Sequence, residues 1–284
     1  EKRTAPQSLR LLGLPVMSAF HMPYDTVDDT RLHYTERGRG APLLFVHGLG
    51  SSSRDWAAQV DDFAKRYRVL RVDLRGHGRS ERGEGPYSIA QFAREVAVLL
   101  RKHAHEPAHV VGLSMGGMVA LELAASAPRL LRSLVVVNSV ADMRLHSWRD
   151  VWFYVSRRLA VQALGMRRVG RLLARQLFVK PDQGALRRTL VERWAGTDKQ
   201  AYLWSMDAIM RWSVADRLPR IDTPTLLVSS DEDYTPVAEK RKMKAQMPRA
   251  ELAVVHDARH ALPVERPEAF NAVVDDFLRR VEER

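Results

Sequence analysis

The run His109-Val110-Val111-Gly112-Leu113-Ser114-Met115-Gly116-Gly117-Met118 constrains this chain more than any other stretch. Its first half is a short apolar strand. Its second half opens an apolar helix through Val119, Ala120, Leu121, Leu123 and Ala124, which Pro128 ends. Only a sharp turn fits between the two, and the residue at its apex is forced into a strained backbone conformation. Gly112 and Gly116 flank that apex because a side chain at either place would meet the neighbouring strand or helix. Ser114 is the apex. Its hydroxyl stands clear of the backbone at a helix N-terminus, where free N–H groups and the helix dipole favour developing negative charge. Gly-x-Ser-x-Gly is a short pattern, so its meaning rests on what the chain supplies around it. The chemistry needs backbone donors upstream, then an acid and a histidine downstream.

The surrounding sequence alternates short buried strands with helices. Tyr24–Val27 and Leu32–Glu36 read as a hairpin around Asp28-Asp29. Pro42–Val46 is a continuous apolar run, the mark of a strand covered on both faces. Trp56–Tyr67 reads as helix, Arg68–Asp73 as strand, Ile89–Lys102 as an amphipathic helix and Leu134–Asn138 as the next strand. The strand signal then stops. Residues 141–215 carry only helical periodicities, rich in arginine and holding Trp148, Trp152, Trp194, Trp204 and Trp212. Alternation resumes with Pro224–Ser230, Val237–Met247, Glu251–Val255 and a closing helix from Pro267 to Val281, with proline at its first position. The expected class is α/β, a mostly parallel, doubly wound sheet interrupted by a helical insertion. Four parts follow: an arm or leader over 1–21, a first core part 22–140, a helical cap 141–215 and a second core part 216–284. The first of these has the charge order of a signal peptide without a small-residue cleavage site, and His21-Met22 reads equally as a join of vector-derived sequence to a start at Met22.

Composition narrows the classes. No apolar run reaches the length of a membrane span. There is no cysteine, so disulfides, thiolate metal sites and thiol catalysis are excluded, and a reducing, cytoplasmic compartment fits. The formal charge is +11. The arginines that supply most of it are scattered at helical spacing and accompany no nucleic-acid motif, so a solvated basic surface is expected and no nucleic-acid partner. Cap faces bearing both apolar residues and arginine are also ones that lipid can cover.

Five pieces in order then carry a resemblance: His47-Gly48, Asp73-Leu74-Arg75-Gly76-His77-Gly78, the Ser114 turn, Asp231-Glu232-Asp233 before Thr235-Pro236, and His260 before Glu265-Arg266-Pro267-Glu268. With them the chain, from about Met22 to its end, resembles the α/β-hydrolase family, in particular its carboxylesterase and 3-oxoadipate enol-lactonase branch. The resemblance implies an eight-stranded sheet, and it sets the insertion where such enzymes carry a cap.

Each site residue also has a physical reading. Ser114 is a weak nucleophile as a neutral hydroxyl and needs a base within reach. His260 is the best of ten histidines, because it follows a strand and a short loop and so falls at the C-terminal edge of the sheet. His256 is the reserve. His47 and His77, in glycine-flanked loops, read as structural. The acid must orient the histidine and stabilise its cation. Asp231, Glu232 and Asp233 all lie just past a strand; the resemblance selects Asp233, two before Thr-Pro. Two positions depart from the family pattern: Ser230 stands where glycine is usual and Arg259 where a small residue is common. The oxyanion hole would use the N–H groups of Met115 and Leu49.

A serine at the turn, where haloalkane dehalogenases and epoxide hydrolases of this fold use aspartate, implies acyl transfer. Carbon–carbon hydrolases usually have asparagine before the serine, and this chain has Leu113. The expected activity is cleavage of carboxylic esters with a small-molecule substrate of apolar acyl or aromatic character. Thioester or carbon–carbon cleavage is the alternative on the same residues, and a small-molecule receptor with a silent site is the alternative from another class. No Rossmann fingerprint or P-loop is present, and no metal or organic cofactor is implied.

Overall fold

The computed structural model of the chain describes residues 24–284. The arm or leader read over 1–21 lies outside the described residues. β1 (Tyr24–Val27) and β2 (Thr30–Arg37) form an antiparallel hairpin with Tyr24 opposite His33. There follow β3 (Pro42–Val46), α1 (Ala57–Phe63), β4 (Arg68–Val72), α2 (Ile89–His103), β5 (Ala108–Leu113), α3 (Met115–Ser126) and β6 (Leu131–Val137). Three helices come next without a strand: α4 (Trp148–Leu177), α5 (Gly184–Ala195) and α6 (Lys199–Met210). β7 (Thr225–Ser230), α7 (Val237–Gln246), β8 (Ala250–Val255), a short α8 (Leu262–Glu265) and α9 (Pro267–Glu282) complete the chain.

The eight strands make one sheet in the order β1-β2-β4-β3-β5-β6-β7-β8. β3 to β8 run parallel, and β2 joins β4 antiparallel. Alternate residues of each strand serve opposite faces. Leu44, Val46, Val110, Leu134 and Val136 pack under α2 and α3 with Phe92, Val96 and Leu121. Leu43, Phe45, Val111 and Val135 pack on the other side against Phe63 of α1 and Phe270, Val274 and Phe277 of α9. Parallel strands sandwiched this way must be apolar on both faces, which is why β3 and β5 read as unbroken apolar runs. α2 shows how a local signal sets a boundary. Ser88 caps it by accepting the Gln91 N–H at 3.0 Å, and Arg101, Lys102 and His103 occupy its last turn, where the dipole favours cations.

Two elements differ from the sequence reading. β6 begins at Leu131, three residues before the expected Leu134. Arg132 breaks the apolar run there, yet Leu131 and Ser133 pair with Ala108 and His109 across an irregular register. The helix expected over Trp56–Tyr67 is regular only from Ala57 to Phe63. A 3-10 turn, Ser53–Trp56, precedes it, and the turn after it brings Tyr67 under the sheet.

α4, α5 and α6 share a small apolar cluster of Val161, Met166, Val169, Trp194, Tyr202, Leu203 and Met206. Trp194 and Trp212 are buried, and Trp204 is partly buried against the core edge-on to Tyr87. Trp148 and Trp152 are exposed. α4 is two helices in one, broken at Gly165 with φ 73° and ψ 168°.

The loop after β4 is tied to the sheet by Asp73. Its carboxylate accepts from His33 Nδ1 at 2.9 Å, from the Ser53 N–H at 2.6 Å and from the Arg79 N–H at 3.0 Å. Burial by itself would raise this carboxyl. The His33 hydrogen bond and the two N–H donors outweigh burial and hold it well below the ordinary carboxylate range. A depressed folded value means that its stabilisation is complete above about pH 4, the unfolded carboxyl value, and is lost as pH falls through the folded one. Asp73→Asn is therefore expected to cost about 2–4 kcal/mol at neutral pH and to flatten the acid limb of stability. Urea unfolding at neutral and acid pH checks both; equal losses at the two would refute the linkage.

Candidate active site

Ser114 sits between β5 and α3 at φ 55° and ψ −117°. Such a conformation costs a non-glycine residue on the order of 1–3 kcal/mol and persists only where the surroundings impose it. Here they do. A Cβ on Gly112 would lie 2.2 Å from the Gly116 oxygen, and one on Gly116 would lie 2.2 Å from the Val46 oxygen. β3, β5 and α3 therefore approach more closely than any side chain permits. The Ser114 N–H still donates to Val137 of β6 at 2.9 Å, and its carbonyl accepts from the Met118 N–H at 3.1 Å and Ser139 Oγ at 2.8 Å. The backbone is pinned on both sides.

The loop after β3 runs beside it. A Cβ on Gly48 would lie 3.4 Å from Ser114 Cβ. Among the described residues, neither the Leu49 nor the Met115 N–H has an acceptor; Met115 is the first residue of α3, where no intrahelical partner exists. His47 sets the loop. Its Nε2 accepts the Leu74 N–H at 3.0 Å, so its proton is on Nδ1, which donates to the Gly48 carbonyl at 2.8 Å. Burial pushes its pKa down and keeps it neutral. His77 is likewise buried, with Nδ1 on the Arg75 carbonyl at 2.9 Å, and burial pushes it down to about 3. At Gly50, φ 72°, a Cβ would meet Trp194 of α5 at 2.9 Å and Tyr202 of α6 at 3.2 Å, so the helical insertion backs this loop directly.

Past β7 the three acids separate. Asp231 accepts from His256 Nδ1 at 3.0 Å and from the Ala258 N–H at 3.3 Å, and its histidine is largely in solvent. Glu232 pairs with Arg259 at 2.7 Å. Asp233 is fully buried and accepts from His260 Nδ1 at 2.8 Å. Its second oxygen takes the Thr235 hydroxyl and the Lys240 ammonium, the latter at 3.3 Å. Lys240 is as buried as its partner. Burial would raise the Asp233 carboxyl, but the His260 and Thr235 hydrogen bonds and the Lys240 charge hold it below its ordinary value. Burial draws Lys240 down.

The two departures from the family pattern contribute bonds to this loop. Ser230 Oγ donates to the Arg259 carbonyl at 2.8 Å. Asn138, just past β6 at φ 44°, accepts the Ser230 N–H at 2.8 Å and donates to Ser230 Oγ at 2.9 Å and to the His260 carbonyl at 3.0 Å. The Arg259 N–H donates to Glu265 at 2.7 Å. Hydrogen bonds thus join β6, β7 and the loop that carries His260.

Tyr234 was absent from the sequence reading. Its ring stacks on His260 with centroids 4.2 Å apart, and its hydroxyl lies 2.8 Å from His260 Nε2 and faces Ser114. His260 Nε2 is therefore engaged by the phenol. Lys240 and Asn138 were also missed. Tyr234 adjoins Asp233 in the chain, which is a usable signal; Lys240 and Asn138 reach the loop only through the fold. Among the described residues no three His, Asp or Glu side chains converge in a way that would hold a metal ion.

Known proteins carry the same architecture. Residues 43–273 match the model of the alpha/beta hydrolase family. A protein of Azorhizobium caulinodans named as carbamate hydrolase RutD is 31% identical over 92% of this chain and its own entire length. The 3-oxoadipate enol-lactonase 2 of Acinetobacter baylyi is 28% identical over 93% of this chain and 99% of its own. The crystal structure of the enol-lactonase from Burkholderia xenovorans superposes with a TM-score of 0.83 at 30% identity, covering 90% of this chain and 99% of that one. The match over residues 43–273 and the relative 31% identical over its entire length show that this chain belongs to the α/β-hydrolase family.

Proposed function

We propose that this hydrolase cleaves small carboxylic esters or lactones through an acyl-enzyme on Ser114, with His260 as base and Asp233 as its orienting acid. The observation that carries the reading is the 2.8 Å bond from His260 Nδ1 to a buried carboxylate. It fixes the tautomer in which Nε2 is unprotonated and able to take a proton. In the first half-reaction Ser114 Oγ bonds to the substrate carbonyl carbon while its proton passes to His260 Nε2. The carbonyl oxygen becomes an anion opposite the unpaired Leu49 and Met115 N–H groups, each donor worth about 10²–10³ in rate. Collapse expels the alcohol, which takes the proton from His260. Water then repeats the sequence and releases the acid. Asp233 stabilises the imidazolium in both halves, and Lys240 and Thr235 keep Asp233 ionised.

The helical insertion, 141–215, is proposed as the cap that sizes the acyl pocket. Its support is the contact of Trp194 and Tyr202 with the loop at Gly50. Carbamate cleavage is the second reading, favoured by 31% identity over the whole length of the protein named as a carbamate hydrolase. A carbamate carbonyl would use the same attack and the same donors.

Four outcomes test the reading. Ser114→Ala is expected to lower hydrolysis of p-nitrophenyl esters by about 10⁴-fold or more while leaving the fold unchanged by circular dichroism. Wild-type protein that neither turns over esters, lactones or carbamates nor reacts with a fluorophosphonate would sink the nucleophile and favour a receptor. Tyr234→Phe frees His260 Nε2, so kcat/KM is expected to hold or rise; a fall of about 10²-fold would instead put the phenol in the proton path. Lys240→Met removes a cation beside Asp233, so this carboxyl holds a proton more readily. The acid limb of kcat/KM against pH is then expected to move to higher pH, and an unmoved limb would contradict the role given to Lys240.

A further inference from the structure

The first half of α4 is built with its polar side inward. The Tyr154 hydroxyl donates to Asp207 of α6 at 2.7 Å, Arg158 pairs with the same carboxylate at 2.7 Å, and Arg157 Nε donates to the Tyr202 hydroxyl at 2.8 Å. With the fully buried Val161 these follow i, i+3, i+4, i+7 spacing and form the face turned to the protein. The outward face carries Trp148, Val151, Trp152, Val155 and Leu159, with relative exposures of 75%, 44%, 68%, 37% and 58%. A helix covering a core does the reverse. A contiguous exposed apolar stripe of this kind marks a surface that something covers.

Charge selects the occupant. α4 holds seven arginines and one acid, Asp150, and among the described residues only Arg158 has an acidic partner. Beyond the break at Gly165, Arg167, Arg171 and Arg175 line a groove of about 450 Å³ with Arg187 and Arg188 of α5, and Glu192 is its one acid. A second copy docking through the same face would be isologous and would bring these arginine sets together. A bilayer with anionic headgroups meets both features, since tryptophan favours the lipid–water boundary and arginine the lipid phosphates. No helix among the described residues is long and apolar enough to cross a membrane. We propose that α4 docks this protein onto an anionic lipid surface, its Trp148–Leu159 stripe entering the headgroup boundary and its unpaired arginines meeting phosphate.

Flotation with vesicles of phosphatidylcholine alone, or mixed with phosphatidylglycerol, tests this with wild type and Trp148→Ser/Trp152→Ser. Both substituted side chains are exposed and the charge is unchanged, so the variant is expected to fold normally, as circular dichroism checks. Wild type is expected to float with the anionic vesicles, more weakly at high salt, and the double variant to partition about tenfold less or worse. Three results overturn the proposal. One is no binding of wild type to anionic vesicles at low salt. Another is equal binding by the variant, which would leave only general basic attraction. The third is a wild-type dimer in size exclusion that the variant dissolves, which would assign the stripe to a second copy.

Discussion

Everything at the candidate site depends on the approach of three backbones around Ser114. β3, β5 and α3 pack so closely at Val46, Gly112 and Gly116 that hydrogen atoms alone fit between them. That contact supports a serine at φ 55°, because relaxing the serine would require the helix to move away from the sheet and expose the apolar layer beneath it. The strain is small beside that layer, where each buried side chain is worth roughly 1.5–3 kcal/mol. Among the described residues the same approach leaves the Met115 N–H without a partner, and it brings the loop at Gly48 alongside. One steric constraint thus positions the serine, the Met115 N–H and the loop at Gly48.

The second side of the site is held by hydrogen bonds. His260 and Asp233 lie on loops, and the buried Ala258 and Leu262 anchor the His260 loop in the apolar layer under α9. Asn138 and Ser230 supply the rigidity by tying the ends of β6 and β7 to the carbonyls of Arg259 and His260. Ser230 is a departure from the family pattern that adds a bond to the loop. Lys240 and Thr235 do for the Asp233 carboxylate what water would do at an exposed one. A buried carboxylate with these partners stays ionised despite the cost of burial.

The helical insertion obeys different physics. Its contact with the sheet domain is partly polar, through Arg193 on Asp55, Thr197 on the Gly50 carbonyl and Gln183 on Glu265, and its own cluster is small. Two of its tryptophans face outward because the inward side of α4 is occupied by hydrogen-bonding groups. Site and surface are therefore separable: substitutions on the outer stripe of α4 leave the Ser114 turn and its neighbouring loops untouched.

The residue string was enough to establish the α/β class, the strand and helix alternation, the Ser114 turn and the reason for its glycines. Those are local or periodic properties, since apolar runs, caps and tight turns depend on neighbours within a few residues. Sequence order also brought Asp231, Asp233, His256 and His260 into consideration, but their pairing depends on how two loops cross. Only the folded chain separates the Asp231–His256 pair from the Asp233–His260 pair. The Lys240 cation under Asp233 and the Asn138 tie are contacts between segments far apart or turned by a loop, so no pattern in the sequence announces them; Tyr234 adjoins Asp233 in the chain, but only the fold sets its phenol on His260 Nε2. The outward aromatic face of α4 is the clearest case. Periodicity identifies an amphipathic helix, but which face meets the protein is decided by the partners tertiary packing brings to it, here Asp207 and Tyr202.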